Sequence, residues 1–253
     1  MEPGSHNAID DVVYAISHDL RGPLLNFQGF LRHLSDACTA LGASAPQWDL
    51  TWEQRLSFNQ LLEQKIQPSV QVLERNARRM ERLLAALLEL SRAGRQPAQL
   101  TRVASAEVAR AVVEQLGAEA AGRNAVLRLD PLPELWADPD RLRLMLQHVA
   151  CNALKFLSPD RPGEITVGGR QAGSEVVIWV RDNGIGLRPR DQERIFLPFG
   201  RVQEIEAPGE GIGLATVCKL AGQQGARVWV ESIHGQVSTF YLSFPAEPPR
   251  EKA

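Results

Sequence analysis

The sequence predicts a helical segment followed by an α/β sandwich, and three observations carry that prediction. Val70, Leu73, Ala77, Met80, Leu84 and Leu87 recur at alternating steps of three and four, the spacing of a helical bundle seam. Beyond residue 100 the texture changes to short runs rich in Val, Ile, Trp and Phe, alternating with helical stretches, as in a layered mixed sheet. Between the two textures stands Gly94-Arg95-Gln96-Pro97, a linker composition. The boundaries read as a helical domain over 8–93, a linker over 94–100, an α/β domain over 101–246 and a tail over 247–253.

The upstream helix follows the same rule as the seam, with Ile9, Val13, Ile16 and Leu20 continued by Leu24, Phe27, Leu31 and Leu34. Two amphipathic helices cannot bury such stripes against each other alone. A hairpin that dimerises into a four-helix bundle is the economical solution. Residues 36–67 contain Gly42, Pro46, Trp48, Asp49 and Trp52, with Pro68 just beyond, and read as an irregular or partly helical insertion. In the second half, 107–121 reads as a helix and 126–129 as a strand. The stretch 139–157 is a helix with Asp138 as its cap and Pro139 in its first turn. Strands follow over 164–167, 176–181, 227–231 and 239–244, with a helix over 214–222. Helices covering one face of a mixed sheet complete an α/β sandwich.

Composition excludes several classes. The chain has 253 residues, 44% hydrophobic and 23% charged, with a formal net charge of -2. It carries no strong field of either sign that would argue for nucleic acid or an anionic membrane. No apolar run approaches the roughly 18 residues of a membrane span. Cys38, Cys151 and Cys218 are scattered without metal-ligand spacing, so each reads as a small packing residue in a reducing, cytoplasmic setting.

Three clusters carry chemistry. Asp182-Asn183-Gly184-Ile185-Gly186 directly follows a strand. An acidic residue there, with two glycines after it, sets a buried carboxylate beside a backbone free to approach a ligand. Such a carboxylate can accept a hydrogen bond from an exocyclic amino group, although taken alone the stretch is equally a turn. Gly209, Gly211 and Gly213, with Leu214, lead straight into a helix. Backbone N–H groups reached through glycines at a helix start suit phosphate, but no Lys-Ser/Thr pair follows as in a Walker loop. On the helix from Pro139, His148, Asn152 and Lys155 share one face, with Phe156 next. An amide oxygen can ligate Mg2+ and a lysine one turn later can meet a phosphate. A solvated polar stripe is the commoner fate of such residues.

The order of these clusters is more specific than any one of them. Asn-x-x-Lys-Phe, Asp-x-Gly-x-Gly, Ile195-Phe196-Leu197-Pro198-Phe199-Gly200-Arg201 and Gly-x-Gly-x-Gly resemble the N, G1, F and G2 boxes of bacterial sensor histidine kinases. Ser17-His18-Asp19-Leu20-Arg21-Gly22-Pro23-Leu24 resembles their H box. The resemblance covers about residues 8 to 245. It implies a phosphoacceptor and dimerisation domain of the HisKA type, then an ATP-binding domain of the GHKL fold. It further implies Mg-ATP-dependent autophosphorylation of His18 and phosphoryl transfer to an aspartate of a response regulator.

The resemblance also implies roles. Asp182, supported by Thr239, reads the adenine amino group beside Gly184 and Gly186. Asn152 ligates Mg2+, Lys155 steadies the phosphates, and Phe156 lines the same helix. Phe196 and Phe199 brace a lid over 200–210, from which Arg201 could reach the γ-phosphate. Asp19 orients the His18 ring and stabilises the developing imidazolium. Pro23 removes one helical hydrogen bond just past His18, letting the helix bend. The implied partners are a second copy of the chain and a response regulator. Because only 17 residues precede His18, input is expected from a separate sensor or from a sensor region missing from this chain.

Two positions depart from the family pattern. Gly22 stands where many such kinases carry Thr or Asn to orient a water. The expectation is weak phosphatase activity, which rapid loss of phosphate from a cognate regulator would contradict. His148 stands where a second Asn is common, which puts the magnesium geometry in question. Related GHKL-type ATPases place Glu there to activate water, so His148 argues for transfer to protein. A degenerate kinase that only dimerises and docks partners is the rival from another class, and the complete set of His18, Asn152 and Asp182 argues against it.

Overall fold

The computed structural model describes residues 4–93, 97–200 and 211–247. The chain divides into two compact units, residues 1–91 and 92–253.

The first unit is a helical hairpin. Helix α1 (Gly4–Ser44) runs unbroken through Pro23. A short 3-10 turn (Ala45–Gln47) and four non-helical residues reverse the chain. Helix α2 (Trp52–Asn59) opens on a capping box, in which Thr51 Oγ1 accepts from Gln54 N at 3.3 Å and Thr51 N donates to Gln54 Oε1 at 3.0 Å. The expected irregular insertion over 36–67 is therefore mostly helical, and only the reversal at 48–51 is not. Trp48 packs edge-on against Phe58 at 5.2 Å, and Arg55 donates to the Trp48 carbonyl at 3.1 Å. Trp and Pro in this stretch thus close the hairpin instead of breaking the helices. A π-helical turn (Gln60–Ile66) joins α2 to α3 (Gln67–Arg92), with Gln67 N reaching back five residues to the Leu62 carbonyl. Pro68 has no N–H to donate and its ring crowds the preceding turn, and a widened turn there keeps the helix continuous.

Helices α1 and α3 run alongside each other, joined by a bond from Gln28 Nε2 to Glu81 Oε2 at 3.0 Å. Leu31 and Cys38 on α1 and Ala45 in the 3-10 turn after it are buried at a seven-residue repeat, with Val70, Ala77 and Leu88 buried on α3. A second heptad row stays exposed: Leu20, Phe27, Leu34 and Leu41 on α1, with Leu73 and Met80 on α3.

The second unit is the expected sandwich. Strands β1 (Thr101–Val103) and β3 (Leu135–Ala137) pair antiparallel as a small ribbon. The main sheet contains β2 (Ala125–Leu129), β4 (Gly163–Ala172), β5 (Glu175–Asp182), β6 (Arg227–Ile233) and β7 (Val237–Pro245), in the order β2-β4-β5-β7-β6. The β2–β4 pair is parallel and the others antiparallel. Helices α4 (Ser105–Gly122), α5 (Pro139–Lys155) and α6 (Gly213–Gly222) pack beside the sheet. The apolar face of α5, Leu142, Met145, Leu146, Val149, Ala153 and Leu154, is fully buried. Its N-terminus is capped by Asp138, whose Oδ1 accepts from Asp140 N and Arg141 N at 3.2 Å each.

One face of the sheet meets the helices: Val176, Ile178 and Val180 on β5 alternate inward, as do Phe240, Leu242 and Phe244 on β7. The opposite face carries Trp179, Trp229 and Tyr241. Trp229 stacks on Tyr241 at 4.9 Å, and a side chain at Gly168 would meet the Trp179 ring at 2.7 Å.

Candidate functional site

The period of two along β5 decides where its last residue points. Val176, Ile178 and Val180 face the core, so Asp182 does as well. Its side chain is 3% exposed, and its Oδ1 accepts from Gly184 N at 2.9 Å. Burial pushes this carboxyl up from 3.8 to about 7, against the lowering effect of the Gly184 bond. A carboxylate held at such a cost has a use for a further N–H donor, and an amino group on a planar base supplies one.

The loop after Asp182 lies against the end of α5. Ile185 N donates to the Phe156 carbonyl at 3.0 Å, and a methyl group at Gly184 would collide with that same carbonyl. Gly186 has φ +62°, and any Cβ there would strike the Ile233 carbonyl, so both glycines are required by close backbone approach. Asn183 closes the loop: its amide donates to the Pro162 carbonyl at 2.9 Å and accepts from Glu164 N at 2.8 Å.

Helix α5 also faces the start of α6. A Cβ at Gly213 would lie 3.2 Å from His148 Nδ1. His148 and Asn152 on α5 and Phe156 at its C-cap follow one another at steps of four, so Asn152 lies one turn from each of these two contacts. Lys155 is half-buried in the last turn of the same helix. The structure thus sets Gly184, Ile185 and Gly213 against the line of His148, Asn152 and Phe156, with Asp182 bonded to Gly184. Leu214 is buried in the first turn of α6. At its other end α6 is tied back to α5: Asp138 N donates to Gln224 Oε1 at 2.8 Å, and Arg141 Nη1 to Gln223 Oε1 at 2.8 Å.

Phe196 stacks edge-on against Phe240 at 6.4 Å, anchoring its segment to the core. Phe199 is 42% exposed, adopts φ +61°, and donates its N–H to the Gly211 carbonyl at 2.9 Å. A non-glycine residue in that region is strained, and the bond holds the two stems of the intervening segment together. The segment itself, with Arg201 and Gly209, lies outside the described residues, as do linker residues 94–96 and the tail from 248. His18 and Asp19 fall within α1, with their side chains outside those described.

One expected site residue is misplaced. Thr239 pairs with Arg181, so its side chain lies on the open face with Trp179 and Tyr241, whereas the Asp182 side chain turns to the core. The residue opposite Asp182 is Ser238, 5% exposed, its Oγ 3.1 Å from Ser232 Oγ. A shift of one residue along a strand changes the face, and β7 starts at Val237, upstream of the strand expected over 239–244. Arg161, whose guanidinium donates to the Asn183 and Gly184 carbonyls of this loop, stands in a Pro-rich turn with no periodic signal.

These features define a GHKL-type nucleotide-binding unit preceded by a helical hairpin. Residues 137–248 match the family described as histidine kinase-, DNA gyrase B- and HSP90-like ATPase. Residues 8–96 match the His kinase A (phospho-acceptor) domain. The methanogenesis regulatory histidine kinase FilI of Methanothrix harundinacea (strain 6Ac) is 31% identical over 235 residues, 92% of this chain and 24% of that protein. The structure of full-length ShkA in complex with AMPPNP aligns with a TM-score of 0.62 at 26% identity, over 94% of this chain and 46% of that one. The histidine kinase ThkA in complex with the response regulator TrrA aligns with a TM-score of 0.59 at 17% identity, over 95% of this chain and 63% of that one, a likeness of fold. The chain belongs to the histidine kinase family. It spans about a quarter of the length of its FilI relative. No helix among the described residues is long and apolar enough to cross a membrane.

The Asp182 carboxyl makes a stability prediction. Below about pH 4 it is protonated in both folded and unfolded chains and contributes no difference. Between about 4 and 7 the unfolded chain releases its proton first, so folding stability falls as pH rises, by up to about 4 kcal/mol. Asp182→Asn is therefore expected to unfold at higher urea than the parent at pH 8 and at nearly the same urea at pH 4. Equal midpoints at pH 8 would show that the carboxylate is not penalised.

Proposed function

We propose that this chain is the autokinase core of a two-component sensor kinase, which uses Mg-ATP to phosphorylate His18 and passes the phosphoryl group to an aspartate of a response regulator. One observation carries the reading: the Asp182–Gly186 loop is seated on the C-terminal turn of the helix bearing Asn152 and Lys155, in a chain whose other unit carries the phospho-acceptor family helix with His18. Asp182 accepts from the adenine amino group, with Ser238 beside it. The Asn152 amide oxygen is suited to Mg2+, and the Lys155 ammonium to the phosphate chain. Backbone N–H groups at Gly213 and Leu214 open α6 toward the phosphates. The AMPPNP bound by ShkA supports a nucleotide at the equivalent unit.

His18 attacks the γ-phosphorus through a neutral ring nitrogen, the N–P bond forming as the bond to the ADP leaving group breaks. Asp19 holds the proton on the other nitrogen. Phosphoryl transfer needs positioning and charge stabilisation more than covalent help from the pocket. The regulator bound to ThkA supports a receiver domain as the recipient. The exposed heptad row of the hairpin, Leu20, Phe27, Leu34, Leu41, Leu73 and Met80, supports a second copy of this chain as its cover.

Incubation with γ-labelled ATP and Mg2+ should leave acid-labile, alkali-stable label on the protein, absent from His18→Ala and from Asn152→Ala. Label surviving in His18→Ala would refute the assignment of the acceptor. In light scattering the parent should have twice the chain mass, and Leu34→Arg combined with Leu73→Arg the mass of one chain. An unchanged mass in that variant would remove the exposed row from the interface.

A further inference from the structure

Between α5 and β4 the chain turns through 156–162, and Arg161 in this turn gathers backbone carbonyls from two other loops. Its Nε donates to the Asn183 carbonyl at 2.7 Å. Its Nη2 reaches the carbonyls of Gly184 at 2.8 Å, Gly235 at 2.9 Å and Gln236 at 3.0 Å. Nη2 carries two hydrogens, so at least one is shared between carbonyls. Two of these acceptors belong to the loop after Asp182 and two to the turn between β6 and β7. That turn is bound to the loop directly as well, through Gly235 N donating to the Ile185 carbonyl at 2.6 Å.

Gly184 is the hinge of this arrangement. Its N–H orients the Asp182 carboxylate and its C=O is held by Arg161. Its other side abuts the Phe156 carbonyl so closely that no side chain fits. The peptide that directs the carboxylate is therefore clamped between α5 and the guanidinium. A planar fork of fixed donors suits this task, whereas an ammonium is a single point of charge.

We propose that Arg161 is a positioning residue for base recognition: by fixing Gly184 against the β6–β7 turn it holds the Asp182 carboxylate in the orientation that accepts an amino group and rejects a carbonyl, and so sets the preference for adenine over guanine nucleotides. The inference rests on the reading of this unit as an ATP site. Adenine presents an amino donor where guanine presents a carbonyl acceptor, and two acceptors facing each other repel. A loosened loop lets the carboxylate turn away, which weakens the adenine contact and relieves the guanine one. A bond network that served only to stabilise the fold would instead weaken both nucleotides alike.

The test measures binding of Mg-ATP and Mg-GTP to the full chain by calorimetry, for the parent, Arg161→Ala, Arg161→Lys and Asp182→Asn. Arg161→Ala is expected to weaken ATP about 10-fold while GTP changes by less than about twofold, so that the preference collapses. Arg161→Lys should recover little of it, and added methylguanidinium should restore ATP affinity to Arg161→Ala. Unchanged ATP affinity in Arg161→Ala, or ATP and GTP weakening by the same factor, overturns the proposal. Should the alanine variant not fold, the lysine variant bears the same comparison. A parent that binds neither nucleotide, or Asp182→Asn that binds ATP like the parent, overturns the ATP reading itself and this inference with it.

Discussion

Strand β5 keeps its alternation to the final residue, and the chemistry of the α/β unit hangs on that persistence. Val176, Ile178 and Val180 are drawn inward by the apolar face of α5, and the same geometry carries Asp182 into the interior two residues later. The carboxyl has Gly184 N as its hydrogen-bond donor there, and burial raises its pKa to about 7. A group so placed weakens the fold at neutral pH. A destabilising group of this kind is characteristic of functional sites.

Helix α5 is the common wall of the site. The Asp182 loop rests on its C-terminal turn, the start of α6 rests one side chain away from His148, and Asn152 lies between. The N-terminus of α5 is tied to the end of α6 through Asp138, Arg141, Gln223 and Gln224. Both ends of the helix are thus tied to the elements that frame the candidate site. Phe196 and Phe199 hold the near side of the segment before α6, one through the core and one through a strained backbone bonded to Gly211.

The helical unit obeys a different constraint. A hairpin of two helices has one shared interior, which Leu31, Cys38, Val70, Ala77 and Leu88 occupy. The second heptad row then has no partner within the hairpin, and large side chains such as Phe27 and Met80 remain in solvent. Apolar rows of that length are covered by association. The π-helical turn before Pro68 lets the long second helix keep its stripe in phase across a residue that would otherwise break it.

Local chemistry determined a large share of this protein in advance. Five strands of the main sheet and helices α4, α5 and α6 follow from hydrophobic period, and Asp138 and Pro139 mark the start of α5. The stretch after β5 alone reads equally as a turn; the inward carboxylate was legible from its place in the order of the glycine clusters. Tertiary structure alone decided features set by contacts distant in the chain. Strands β1 and β3 have three residues each, too few for a period to register. Ser238 and not Thr239 faces Asp182 because the register of β7 against β5 is fixed by pairing across more than fifty residues of chain. The Trp and Pro residues of 46–68 read as irregular because their partners, the Phe58 ring and a π-helical turn, are three-dimensional. Arg161 shows the limit most plainly: four carbonyls from two distant loops converge on one guanidinium, and no spacing within a sequence records a convergence in space.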